Sequence, residues 1–225
     1  MKTTILAAAV SLASLGIASS ALAHQAGDII VRGGIVHVSP DDSSGNVHVE
    51  SLGDTGMTVG VDSNTQIGLN FAYMFDNNWG IELLAATPFT HDVNLQNSAL
   101  GLGDGKLAEV SHLPPTLSVQ YYFGGPESKF RPYVGAGLNY TIFFDEQFKG
   151  SRKDQGFNSL DLDSSFGWAA QIGLDYKLNE KWHLNGQIRY IDISTDANFK
   201  VGELKSKVSV DIDPFVYMVS AGYTF

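Results

Sequence analysis

The last residues of the chain, 213–225, alternate between two kinds of side chain. Because successive side chains of a β-strand point to opposite sides, every second residue shares one face. That face would carry Phe215, Tyr217, Val219, Ala221, Tyr223 and Phe225. A row with aromatic residues at both ends and apolar residues between them is typical of a transmembrane barrel strand that faces lipid. We therefore expect this segment to cross a membrane as a strand.

The first residues, 1–23, have the composition of a secretory signal peptide. A basic start at Lys2 precedes a mostly apolar stretch, 5–17, and the small residues at 21–23 (Ala-Leu-Ala) are typical of a cleavage site. A transmembrane anchor is the alternative, but serine and glycine interrupt the apolar stretch. We expect cleavage to leave an exported mature chain that begins at His24.

Length, cysteine content and charge narrow the class of protein. The 225-residue sequence has no second run of about 18 apolar residues, which excludes a helical membrane protein. It has no cysteine, so neither disulfides nor thiolate metal sites are available. A formal charge of −10 at pH 7 disfavours binding to nucleic acid. We expect no cofactor and no metal, and a single domain over residues 24–225.

Eight segments of the mature chain alternate in the manner of membrane-crossing strands. Their approximate bounds are 28–38, 65–75, 79–89, 114–123, 131–143, 165–176, 181–193 and 212–225. Short turns alternate with long polar connections, and the long ones are 39–64, 90–113, 144–164 and 194–211. This order predicts an all-β fold, an eight-stranded antiparallel up-and-down transmembrane β-barrel with long extracellular loops. An even number of strands places both termini in the periplasm.

The two faces of these segments differ in polarity. Inward rows contain Gln, Asn, Glu, Asp and Arg, whereas outward rows are apolar. One outward row is Ile67, Leu69, Phe71, Tyr73 and Phe75. A soluble β-sandwich, the alternative, would place aromatic residues inside and charges outside. An interfacial aromatic girdle near the periplasmic strand ends would consist of Trp79, Tyr121, Tyr176, Trp182 and Tyr223.

The inward-facing residues predict a lumen with two unlike halves. The periplasmic half would hold a salt-bridged polar plug of Arg32, Glu82, Gln120, Arg131, Gln171, Asp175 and Arg189. The outer half would be lined by Val36, Val38, Leu84, Pro88, Phe143, Ile191, Ile193 and Val216. Eight strands enclose room only for side chains or one small ligand. We therefore expect a dry well above a closed floor, suited to a small hydrophobic molecule or a detergent.

Pro114 and Pro115 are consecutive at the outer end of the fourth segment. Neither residue has an N–H group to donate to a strand ladder, so the barrel wall could be split there. One hypothesis is that the split gives a captured ligand a lateral exit into the membrane. The other is that the prolines end the strand at the rim of the barrel.

Four sequence blocks resemble those of one protein family. They are 82–89 (ELLAATPF), 112–117 (HLPPTL), 129–141 (KFRPYVGAGLNYT) and 213–225 (DPFVYMVSAGYTF). In this order, over nearly the whole mature chain, they are similar to the outer membrane protein W (OmpW) family of Gram-negative bacteria. The resemblance implies an outer-membrane barrel with a narrow hydrophobic channel, linked to small hydrophobic molecules and to stress responses.

The resemblance also implies roles for single residues. Leu84 would be one apolar member of the channel constriction. Arg189 departs from the family pattern, which leads us to expect a bulky aromatic residue at that inward position. The aromatic carboxy terminus at Phe225 resembles the signal that the barrel-assembly machinery reads.

Two other functions remain open for such a barrel. Histidines near the predicted outer rim are His37, His48, His91 and His112. Their spacing forms no recognised triad, so we expect solvated loop histidines and no enzyme activity. The second alternative is a structural or stress-related surface protein whose loops bind bacteriocin, phage or host partners. In either case the outer wall would contact outer-membrane lipid.

Overall fold

The computed structural model describes residues 24–98 and 101–225. The predicted signal peptide, 1–23, lies outside the described residues. The elements in chain order are β1 (Ile29–Ser39), β2 (Ser43–Ser44), β3 (His48–Val49), β4 (Gly53–Asp54), β5 (Thr58–Val61), β6 (Asn64–Met74), β7 (Trp79–Ala86), β8 (Phe89–Gln96), β9 (Gly105–Leu113), β10 (Thr116–Tyr122), β11 (Phe130–Phe148), α1 (Gly150–Asp154), β12 (Phe157–Leu162), β13 (Ser165–Lys177), β14 (Trp182–Ile191), β15 (Ser194–Val201), β16 (Leu204–Asp211) and β17 (Phe215–Thr224). Within the described ranges, no helix has the length and hydropathy needed to span a bilayer.

Eight of the strands close into an antiparallel barrel, which confirms the predicted fold. Around the barrel the order is β1, β6, β7, β10, β11, β13, β14 and β17. The last strand pairs with the first over a register that runs from Ile30–Thr224 to Ser39–Phe215. The alternating carboxy-terminal segment is therefore the strand that closes the barrel.

The outer wall of the barrel is apolar, and the lower part of the inner wall is polar. Val219 is 72% exposed on the outside, whereas Arg32 is fully buried inside. A closed barrel that exposes apolar side chains in this way is suited to lipid contact. At the end with short turns, Trp182 and Tyr223 stack edge to face with ring centroids 5.0 Å apart. Such pairs form the predicted aromatic girdle.

Both ends of the barrel chain lie beside the short turns. The N–H of Phe225 donates to the carbonyl of Ile29 at 2.9 Å, and the N–H of Thr224 donates to that of Lys181 at 2.9 Å. Short turns of outer-membrane barrels face the periplasm. We call this end the floor of the barrel.

The four long connections are mostly strands, which corrects the prediction of polar loops. One sheet consists of β5, β8, β9 and the upper part of β11, and a second consists of β2, β3, β4, β12, β15 and β16. Strand β11 takes part in both the barrel and the first sheet, because its residues 130–141 pair with β13 and 142–148 continue along β9. We call these two sheets the extracellular extension.

Buried and exposed residues alternate along the strands of the extension, although their overall composition is polar. In β16, Val208 and Val210 are buried, whereas Lys207 and Ser209 are exposed. Each strand of the extension turns one face inward and the other to water, so half of its residues are polar. The average polarity of these segments therefore predicts loops, although their residues alternate as in half-buried strands.

Candidate functional site: an apolar void above a polar floor

Buried ions form a layer across the lower lumen. Arg32 donates to Asp175 over 2.7 Å and lies 3.4 Å from Glu82. Arg189 pairs with the second oxygen of Glu82, and neither side chain is accessible to solvent. Unpaired charges in such a place would be strongly destabilising, so each carboxylate is matched by arginine.

Neutral amides complete this polar layer. Glu82 Oε2 accepts from Nδ2 of Asn70 at 3.0 Å and from Nε2 of Gln120 at 2.9 Å. Nε of Arg189 donates to Oε1 of Gln171 at 2.8 Å. The layer thus contains six of the residues predicted for the plug: Arg32, Glu82, Gln120, Gln171, Asp175 and Arg189.

Arg131, the remaining residue predicted for the plug, is also buried, and it lies opposite Asp175 in the register between β11 and β13. Its guanidinium donates to the backbone carbonyls of His24, at 2.9 Å, and of Asn77. It also lies 5.2 Å from the ring centroid of Tyr122. Because Arg131 stands at the start of β11, it reaches the level of the short turns and fastens the first described residue to one of them.

His24, Asp175 and His183 are the one group of three possible metal ligands that lie close together among the described residues. Nε2 of each histidine contacts a charged side chain, and Nδ1 of each has no hydrogen-bond partner among the described residues. His24 Nε2 lies 2.9 Å from Asp175, and Nε of Arg32 donates to His183 Nε2 at 3.2 Å. A cation there would also lie beside the charge of Arg32. The cluster is therefore better suited to a hydrogen-bonded floor than to a metal centre.

Apolar side chains fill the outer half of the barrel. The buried hydrophobic cluster there contains six of the residues predicted for the well, and Phe143 packs against it; the six are Val36, Val38, Leu84, Ile191, Ile193 and Val216. Val38 and Phe143 lie higher, beside a void. Pro88 is exposed, which corrects its predicted inward position. Strand β7 ends at Ala86, and β8 resumes with Phe89 buried, so the break moves the alternation by one residue.

The void lies between the two sheets of the extracellular extension. Its cavity volume is about 60 Å³, it continues into space that is open to solvent, and it is lined by side chains from β1, β5, β8, β9, β11, β12, β15 and β16. The polar residues among those that line it are His91, His112 and Thr195. Oγ1 of Thr195 donates to the carbonyl of Asp163 at 2.6 Å. The void therefore lies above the position expected for the well, and its wall is almost wholly apolar.

His91 and His112 face each other on the neighbouring strands β8 and β9. Their Nε2 atoms are 3.0 Å apart, and Nδ1 of His91 contacts the backbone carbonyl of Asp62. The ring of His112 stacks on that of Phe143, with centroids 5.9 Å apart. Burial lowers the pKa of both imidazoles and holds that of His112 at about 3. These two are neutral residues of the void wall, not the solvated loop histidines that the sequence predicted.

The barrel wall is interrupted beside this histidine pair. The ladder between β7 and β10 stops at Leu84–Thr116, and the ladder between β8 and β9 resumes at Phe89–His112. No register joins the described segments 85–88 and 113–115, which lie between these two points. We call this interruption the notch.

Three prolines flank the notch, namely Pro88, Pro114 and Pro115. None has an N–H group, so none can donate a ladder bond across it. On the opposite side the wall is continuous, since the carbonyl of Pro115 accepts from the N–H of Tyr140 at 3.1 Å. The segment with Pro114 and Pro115 is therefore unpaired on the side of the notch and still paired with β11 on the other side.

Arg152 of α1 is a buried residue that the sequence did not single out. It donates to the backbone carbonyls of Leu102, Gly103 and Lys106 at 2.7, 2.9 and 3.1 Å. It therefore fastens the end of the β8–β9 hairpin to α1. Backbone carbonyl acceptors carry no side-chain signature, so no motif could have revealed this contact.

Known proteins of the same kind match nearly the whole chain. The model of the OmpW family matches residues 25–225. Outer membrane protein W of Vibrio cholerae serotype O1 is 50% identical over 226 residues, which cover 100% of each chain. The crystal structure of outer membrane protein OprG from Pseudomonas aeruginosa aligns with a TM-score of 0.85 at 50% identity, over 90% of this chain and 97% of that chain.

A more distant relative is the dibenzothiophene metabolism operon protein PahQ of Pseudomonas aeruginosa, which is 26% identical over 186 residues and 82% of each chain. The closer matches are outer-membrane proteins, and they confirm the predicted outer-membrane location. Together with the closed barrel, the full-length matches show that this chain belongs to the OmpW family.

Proposed function

We propose that the protein binds small hydrophobic molecules in the void and releases them sideways through the notch into the outer membrane. The observation that carries this function is the void wall, which is apolar except for three side chains. Removing apolar surface from water contributes about 25 cal/mol per Å², so a ligand that buries about 200 Å² would gain roughly 5 kcal/mol. This gain is enough for weak, reversible capture.

The polar floor disfavours direct passage to the periplasm. Arg32, Glu82 and Arg189 fill the lower lumen with paired charges that are inaccessible to solvent. A hydrophobic molecule would have to separate these ion pairs without offering hydrogen bonds in return. A lateral exit avoids this barrier.

The notch supplies such an exit at the level of the void. His112 lines the void and also forms the upper edge of the notch, so one residue borders both spaces. Below the notch, the outer wall presents Leu83 and Leu117, which are 42% and 51% exposed. A ligand that leaves through the notch would therefore meet lipid chains.

Filling the void tests this function. Ala108 lines it and is buried, so Ala108→Phe should place a ring in the space that the ligand needs. The matched control is Ala170→Phe, at an exposed position on the lipid-facing wall of β13. Each variant is expressed in the outer membrane of a host without its own relative, and the initial rate of dibenzothiophene uptake is measured. Dibenzothiophene is the probe because the relative PahQ is named as a dibenzothiophene metabolism operon protein.

We expect Ala108→Phe to reduce the uptake rate severalfold and Ala170→Phe to leave it unchanged. A second void variant, Ala197→Phe, alters the facing sheet and should have the same effect. Gel mobility before and after heating reports whether each barrel is folded. Wild-type uptake by both void variants, at equal amounts of folded protein, would contradict the proposed function.

A further inference from the structure

The hydrogen bonds of the histidine pair fix which nitrogen atoms carry protons. Nδ1 of His91 contacts the carbonyl of Asp62, which can only accept, so Nδ1 must carry the proton. In a neutral imidazole the second nitrogen is then a bare acceptor. Nε2 of His112 lies 3.0 Å from that acceptor and must donate to it. Nδ1 of neutral His112 is therefore left as a bare acceptor.

This Nδ1 atom is buried and has no partner among the described residues. Of the polar side-chain atoms on the void wall, it alone is in that state: His91 uses both nitrogens and Thr195 donates to Asp163. Leaving a buried acceptor unpaired costs free energy, and a donor from a bound molecule would recover it.

The groups around His112 limit which kind of donor can pair with its Nδ1. Its imidazole lies against Phe143 and against Phe89, with centroids 5.9 and 5.6 Å apart, so the groups beside it are aromatic faces. Burial also keeps the imidazole neutral at pH 7, because the pKa of His112 is lowered to about 3. A carboxylate would therefore find no cation here, whereas a hydroxyl group would find an acceptor.

We infer that the void selects amphiphilic molecules with a hydrogen-bond donor, such as medium-chain alcohols or phenols, and that His112 Nδ1 accepts the hydrogen bond from that donor. This role rests on the proposed function, because it takes the void as the ligand site. His112 is a specificity-determining residue in this scheme, and the apolar wall supplies most of the affinity.

Two isomeric probes isolate the donor: 1-octanol, which has a hydroxyl group, and methyl heptyl ether, which has none. Their affinities are measured by calorimetry for the mature protein in phospholipid nanodiscs, with empty nanodiscs subtracted. A single neutral hydrogen bond corresponds to about a fivefold preference for the alcohol. His112→Phe should abolish this preference while the ether still binds. Thr195→Val, the matched control on the same wall, should retain it.

Nitrogen NMR of the wild-type protein gives an independent readout that does not depend on any variant. The Nδ1 signal of His112 should be that of an unprotonated imidazole nitrogen, and it should shift with 1-octanol but not with the ether. A protonated Nδ1, or the same alcohol preference in His112→Phe, would overturn the inference. If both probes bind equally to the wild type, the inference fails and the proposed function stands. If neither binds, both fail.

Discussion

Arg189 and Glu82 form an ion pair at the top of the polar layer, and both side chains are fully buried. The family resemblance leads one to expect an aromatic residue at position 189, and a lone charge there would make the constriction polar. Arg189 is not a lone charge, because it is paired with Glu82. Nε and one terminal nitrogen of the guanidinium bind Gln171 and Glu82, and the cluster that contains Leu84 remains apolar.

Arg189→Met should lower the free energy of unfolding by about 3 kcal/mol, because Glu82 would keep a buried charge with one arginine left, Arg32 at 3.4 Å. Urea unfolding in detergent micelles, followed by gel mobility, measures the loss. The double variant Arg189→Met/Glu82→Gln should recover a large part of it, since both charges are then removed. Unchanged stability of Arg189→Met would show that the pair contributes nothing.

Replacing Pro114 and Pro115 together by valine should close the notch and reduce dibenzothiophene uptake severalfold. Each valine supplies an N–H group that can donate towards segment 85–88, where the ladder is now interrupted. The control is Pro132→Val, an exposed position in the paired part of β11. If the double variant folds and takes up the probe at the wild-type rate, the prolines mark only the end of a strand.

The barrel could be predicted from the sequence because its signal is local. In residues 213–225 every second side chain is apolar, and the strand β17 follows that period from Phe215 to Thr224. The inward position of the charged residues could also be predicted, because the opposite face of each strand contacts lipid and charges must therefore point into the lumen. Predicted and observed ends differ most at β11, which continues to Phe148 because it finds a new partner in β9.

The sequence raises a split in the wall at Pro114 and Pro115 as one hypothesis, but the void and its histidine pair could not be predicted, because they depend on which strands pair. His91 and His112 are 21 residues apart and meet only because β8 and β9 form a hairpin. Continuous alternation over 79–89 predicts an inward Pro88, whereas the strand breaks after Ala86 and Phe89 is buried instead. The void in turn requires two sheets to face each other, and no local pattern specifies that arrangement.

The extracellular extension should lose stability as the pH falls from about 6.5 towards 3. Burial lowers the pKa of His112 from 6.5 to about 3, so in this range the unfolded chain binds a proton that the folded chain excludes. Stability therefore rises with pH across the window, by roughly 3–5 kcal/mol in all. Amide exchange protection in β8 and β9, measured at several pH values, tests this. His112→Phe should make the dependence shallower and leave the part that comes from His91, whose pKa burial also lowers, whereas His48→Gln, at an exposed histidine, should leave it unchanged.

Gly34→Ala should prevent the barrel from closing. Gly34 lies on β1 opposite β17, and a Cβ there would come within 2.1 Å of the carbonyl oxygen of Val219 and 2.5 Å of the Cα of Ser220. Both are backbone atoms of the closing strand, so the two strands must move apart and lose their ladder bonds. The folded fraction after refolding in detergent, read from gel mobility, should fall sharply. Gly186→Ala, with no atom within 4 Å of its added Cβ, should refold like the wild type. Equal refolding of both variants would mean that the seam tolerates separation, and the carboxy-terminal strand would then not need close packing to seal the barrel.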